Sequence, residues 1–146
     1  MKKLFLALFV FGISAAVNAQ STTVKKADEV IKFKEMKHDF GKIKQGVPVT
    51  YDFVFTNEGA SPAIIENATA SCGCTTPAWP QAPVMNGKND KIKAGFNAAA
   101  PGVFEKGIFV KVKGYDLPIE IKISGEVLTP EDFTKFEATK KNKSGK

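Results

Sequence analysis

A chain of 146 residues with 43% hydrophobic and 25% charged residues has the makeup of a globular protein and room for about one domain. It carries one His, two Cys and a single Trp, so a zinc site or other centre calling for a second imidazole is excluded. The net charge of +6 rests on 21 basic residues, every one of them Lys; without the guanidinium fork of Arg, a sequence-specific nucleic-acid reader is not expected.

Lys2 and Lys3 precede an apolar run over residues 4–17 broken by Gly12 and Ser14, and Val17-Asn18-Ala19 then supplies residues at a cleavage-type spacing. Residues 1–19 read as a secretory signal peptide. The run falls short of the roughly 20 apolar residues that a membrane span needs, and the polar Gln20-Ser21-Thr22-Thr23 follows it rather than a basic stop-transfer; the competing reading is an uncleaved anchor. No Cys lies at the cleavage point for lipid attachment. The expected mature chain starts at or near Gln20, has no transmembrane segment, and is exported to the periplasm or beyond. Losing Lys2 and Lys3 lowers its formal charge from +6 to +4.

Residues 20–30 are polar with no buried period and read as a flexible lead-in. Strand signals begin at Ile31 and Phe33; Met36, His38 and Phe40 share the parity of the strand's continuation across a bulge, and Gly41 is expected to stop the strand. Val49, Tyr51, Phe53 and Phe55 form a period-2 stripe, the pattern of a half-buried antiparallel strand. A turn over Asn57-Glu58-Gly59-Ala60-Ser61-Pro62 leads to an extended segment at residues 63–70. Alternation returns at Ile92, Ala94 and Phe96, at Ile108, Val110 and Val112, and at Leu117, Ile119, Ile121 and Ile123. Lys113-Gly114-Tyr115-Asp116 is placed to join the last two as a hairpin. Helical periodicity is missing between Ile31 and Val127. Six or seven short strands with turn signals every 8–12 residues or so predict an all-β fold, an immunoglobulin-like antiparallel sandwich over residues 31–128, with a small closed barrel as the competing layout. Residues 129–146 read as a basic, mostly disordered tail, with at most a helical turn at Pro130-Glu131-Asp132-Phe133.

Ala70-Ser71-Cys72-Gly73-Cys74-Thr75-Thr76-Pro77, then Trp79-Pro80, Pro83 and Asn86-Gly87, resemble an exported bacterial family catalogued as domain of unknown function 1573. His38-Asp39-Phe40-Gly41-Lys42-Ile43 with Gly46, and Phe53-Val54-Phe55-Thr56-Asn57-Glu58-Gly59 with Pro62, resemble its opening strands in the same order and spacing. Asn86-Gly87 departs from the family's usual Pro-Gly, though either pair makes a turn. The resemblance implies a sandwich similar to the Ig-like modules of cilium and centrosome proteins and to the pilus chaperones, and it implies no established activity.

Cys72 and Cys74 admit three readings. They can close a disulfide across Gly73, whose backbone freedom would help bring together α-carbons that a regular strand holds about 6.6 Å apart; so small a ring favours redox lability. As thiolates they can hold a soft metal such as Cu(I) or Zn, helped by His38, Met36 or Met85. They can also pack as small apolar side chains without chemistry. A strand histidine such as His38 is more often packed than ligating. Trp79-Pro80-Gln81-Ala82-Pro83 reads as an extended edge segment, with an aromatic binding platform beside the cysteines as the functional alternative. No acid/base pair accompanies a nucleophile. The function expected is therefore a binding or structural module with an envelope partner, and the alternative is a thiol-redox or soft-metal-binding protein.

Overall fold

A computed structural model describes residues 24–144; the signal-peptide reading of residues 1–19 lies outside them. Among the described residues there are eight strands: β1 (Ile31–Phe33), β2 (Lys37–Lys44), β3 (Val49–Asn57), β4 (Ile65–Ala70), β5 (Thr75–Ala78), β6 (Asn89–Phe96), β7 (Gly102–Val112) and β8 (Ile119–Leu128). They form two four-stranded sheets in the orders β1-β3-β6-β5 and β2-β8-β7-β4. This is an open sandwich with four sheet edges, not a closed barrel.

The period-2 stripes of β3, β6, β7 and β8 turn inward as their parity demands, whereas Leu117, expected in the last stripe, lies before β8 and is exposed, as is Met36. Phe53 and Phe55 of β3 face Ile108 and Val110 of β7 and Ile121 and Ile123 of β8 in one core, all of them at 0% exposure. Each such side chain stabilises the fold by roughly 2–3 kcal/mol of transfer free energy. Aromatic pairs tie the layers together: Phe96 of β6 stacks on Phe104 of β7 with ring centroids 4.0 Å apart. Asn57 ends the β3 stripe at 1% exposure. It is satisfied by donating to the carbonyls of Ser61 (2.9 Å) and Val84 (2.8 Å) and accepting from the amide of Gly59 (3.0 Å), so the turn after β3 is anchored from inside.

Several expectations need correction. The stretch read as one bulged strand from Ile31 to Phe40 is two strands in different sheets. Lys34 N still donates to Val54 O of β3 (2.9 Å), while Met36 O accepts from Lys122 N of β8 (2.8 Å), so the chain changes sheet within three residues. Gly41 does not stop β2. It takes φ 66°, its amide donates to the Asp39 carboxylate (2.9 Å), and the result is a bulge between Asp39 and Lys42 after which pairing resumes. The β2–β8 pairing is parallel, where an antiparallel sandwich is expected, because β2 enters the sheet from the opposite layer rather than through a hairpin. The hairpin at Lys113-Gly114-Tyr115-Asp116 is present, with Gly114 at φ 83°.

Both flanks are more ordered than their composition predicts. Residues 24–30 dock on the sandwich: Lys25 N donates to the Asp116 carboxylate (2.8 Å), Lys26 bridges to Leu117, and Ala27, in a 3-10 turn at Ala27–Glu29, is buried. After β8 a helix, α1 (Pro130–Ser144), replaces the expected disordered tail. Its start is capped by Thr129, whose hydroxyl accepts from Asp132 N (3.2 Å), with proline at the first helical position and Glu131 and Asp132 in the first turn. The ammonium of Lys42 on β2 lies 5.5 Å from the Phe136 ring centroid.

Candidate functional site

The connection between β4 and β5 carries the chemistry. β4 is an edge strand of one sheet and β5 an edge strand of the other, and the chain passes between them through Ser71-Cys72-Gly73-Cys74. Cys72 O accepts from Thr75 N (3.3 Å), closing a turn in place of a regular strand. This draws the two α-carbons to 5.4 Å, inside the range that a disulfide spans, and the sulfurs are bonded to each other. Gly73 contributes differently from its expected role. It is not among the glycines with positive φ, and a Cβ built on it would meet nothing within 4 Å.

Both cysteines are half-buried. The hydroxyl of Thr75, itself buried, lies 3.7 Å from Cys72 Sγ, and as that sulfur is oxidised the hydroxyl is the donor. Cys74 O accepts from Asn97 N (3.1 Å), which joins the turn to the β6–β7 loop. In that loop Ala98 is buried at φ 51°, a left-handed conformation that alanine rarely adopts. It is held there as Ala98 O accepts from Gly46 N (2.9 Å).

A groove of about 230 Å³ runs beside the disulfide, lined by Cys74, Phe96, Pro101, Val103, Phe104 and Lys106 among others, and Cys72 is not in its wall. Lys106 lies on β7 in the inward parity of Phe104 and Ile108, an unusual place for an ammonium. Among the described residues no carboxylate pairs with it within 4.0 Å. The signal was legible: counting back by two from Val112, Val110 and Ile108 arrives at Lys106 before Phe104.

Trp79 follows β5 directly and packs partly against the core. The four residues of β5 separate it from Cys74 along the chain. His38 is placed elsewhere again. It stacks on Tyr51 (centroids 3.5 Å apart, 8° between planes) and meets Phe40 edge-on (4.8 Å), while its Nδ1 stands 3.8 Å from a Glu35 carboxylate oxygen. β2 and β4 are opposite edges of one sheet, roughly three strand spacings or 14 Å apart, so His38 does not join Cys72 and Cys74. Met36 and Met85 are exposed. Among the described residues, no three His, Cys, Asp or Glu side chains gather into a group that could hold a metal, and none of the helices is long and apolar enough to cross a membrane.

Two packed sheets of this order, with a sheet-to-sheet crossing after β1, define a PapD-like, immunoglobulin-like sandwich. An ASH/PapD-like domain of human CEP192 superposes with a TM-score of 0.59 at 9% identity, covering 82% of this chain and 97% of that one. The chain belongs to the family described as protein of unknown function DUF1573, which matches residues 31–127. A protein of unknown function from Porphyromonas gingivalis W83 superposes with a TM-score of 0.58 at 14% identity, over 67% of this chain and 46% of that one. The VesB protease of Vibrio cholerae does so with a TM-score of 0.54 at 12% identity, over 68% of this chain and 32% of that one. The chain thus spans about half the length of the former and a third of the latter, and at these identities the likeness is one of fold. No curated protein matches the chain.

Proposed function

We propose that the protein is an exported binding module of a bacterial cell envelope, engaging a protein partner at the side of the sandwich where β4 and β5 leave their outer edges open. The observation that supports this reading is the turn at Cys72 and Cys74. It links two edge strands of different sheets, each with one side carrying no strand neighbour among the described residues, and unpaired strand edges are the ordinary means by which sandwiches recruit an extended segment. The leader-like residues 1–19 support export, and intact-mass analysis of the native envelope protein is expected to find an N-terminus at or near Gln20. A chain retaining Met1 would overturn that part.

The half-buried disulfide favours a second reading, thiol–disulfide exchange, because a bond closing so small a ring and open to solvent is accessible to an incoming thiolate. Soft-metal binding belongs with it as a property of the reduced pair, since a disulfide offers no thiolate ligand. A pull-down from envelope extract, repeated after Cys72→Ser and Cys74→Ser together, separates the two. Partners retained by the double variant support the module; partners lost, or held through mixed disulfides, support exchange.

A further inference from the structure

We infer that the groove beside Cys74 is the entry site for a thiol-bearing side chain of a partner protein with two neighbouring thiols, and that Cys74 Sγ is the atom attacked. This rests on the thiol-exchange reading and specifies its direction, its reacting atom and the charge that assists it.

Three observations converge. The groove wall includes Cys74 and not Cys72, so an attacking sulfur in the groove meets Cys74. Its volume of about 230 Å³ falls below the range of roughly 300–1,000 Å³ typical of small-molecule sites and suits one or two protein side chains. The ammonium of Lys106, without a carboxylate partner among the described residues, stands at the same groove. A cation there favours the thiolate form of an approaching thiol, which is its nucleophilic form. Ser71 Oγ accepts from Gly107 N (3.2 Å), which keeps this part of β7 against the turn.

The exchange balances as two displacements. The partner's first thiolate bonds to Cys74 Sγ, the Cys72–Cys74 bond breaks, and its electron pair leaves on Cys72 Sγ. That sulfur departs as a thiolate beside the Thr75 hydroxyl, which is 3.7 Å from it and donates a hydrogen bond to the developing negative charge. The partner's second thiolate then attacks its own sulfur in the mixed disulfide and releases Cys74 as a thiolate. The partner's dithiol is oxidised by two electrons to a disulfide, this protein is reduced by two electrons, and the protons lost by the partner's thiols pass through solvent to the two cysteines.

Reduced glutathione, an anionic monothiol, stops the reaction at the mixed disulfide and is the probe. The protein, produced by secretion in a bacterial host, is exposed to it, quenched in acid within seconds and fragmented in the mass spectrometer, where cleavage on either side of Gly73 distinguishes the two sulfurs. The expected adduct is on Cys74 with Cys72 free. Lys106→Glu is expected to slow capture of glutathione about tenfold while leaving the cationic thiol cysteamine unslowed. Lys106→Gln, with a fold checked by circular dichroism, gives an intermediate rate and guards against a charge reversal that merely unfolds β7. Glutathione found mainly on Cys72, or equal rates for Lys106 and both variants, overturns the inference and leaves the exchange reading standing. A disulfide that forms no adduct with either thiol in the native protein overturns both.

Discussion

His38 and Tyr51 lie ring on ring across the two layers, 3.5 Å between centroids, and the Tyr51 hydroxyl donates to the Glu35 carboxylate at 2.8 Å. The residue singled out as a metal-ligand candidate is thus an aromatic clamp between β2 and β3, at the point where the chain has just changed sheet. The hydrogen bond to Glu35 is the main reason the Tyr51 phenol is held above the ordinary tyrosine range, with burial and the charge of Glu35 adding to it. A raised phenol pKa means that the stabilisation is present at neutral pH and lost as pH rises through the folded-state value. In a Tyr115→Phe background, the ultraviolet phenolate signal of Tyr51 is expected to appear above pH 10, and Glu35→Gln is expected to move it down. A midpoint indifferent to Glu35→Gln would refute the assignment.

Asn57→Ala removes three hydrogen bonds at a site with 1% exposure and leaves the carbonyls of Ser61 and Val84 without that donor. The expected loss is about 3 kcal/mol, read as a lower urea midpoint with an unchanged slope. A loss under about 0.5 kcal/mol would show that water replaces the amide without difficulty.

Gly125→Ala places a Cβ 2.8 Å from Gly41 O and 2.9 Å from two atoms of the Phe104 ring. Neither backbone nor a stacked aromatic gives way easily, so about 2 kcal/mol of destabilisation is expected. The damage should be local to the β2 bulge and to the Phe96–Phe104 stack, visible as increased amide exchange there.

Gly73→Ala is expected to be nearly silent. Space is open around a Cβ at this position and the backbone is outside the left-handed region, so the change in stability should stay within about 0.5 kcal/mol, with the Cys72–Cys74 bond still formed. Loss of the disulfide in this variant would restore to Gly73 the conformational role that the structure does not give it.

The strands with strict alternation were readable because burial on one face leaves a period of two: Phe53 and Phe55, Ile92 and Ala94, Ile121 and Ile123. β5 was not. Thr75-Thr76-Pro77-Ala78 contains a proline, and what makes it a strand is a neighbour, β6, whose Gly95 leaves room for the Thr76 side chain: a Cβ there would stand 2.9 Å from Thr76 Oγ1. The change of sheet after β1 was equally hidden, since the shift from the odd positions Ile31 and Phe33 to the even positions Met36, His38 and Phe40 reads as a bulge within one strand as readily as a passage to another layer. Helix α1 has few apolar residues to announce it, and its signal is the spacing of Thr129 and Asp132. At the candidate site, proximity in sequence gave the Cys72–Cys74 pair, whereas the groove depends on a loop and a strand some 25–30 residues further on, which spacing alone cannot bring together.

The parallel pairing of β2 with β8 has a consequence for how the molecule is made. Lys37 is aligned with Lys122 and Lys44 with Leu128, so the first strand of that sheet waits for the last before it has a neighbour. A chain emerging N-terminus first carries β2 without its ladder until nearly all of the domain has been delivered, and the closure of so long a loop places folding among the slower, millisecond-to-second topologies. The ladder of β2 is therefore completed only with β8, the last strand of the domain among the described residues.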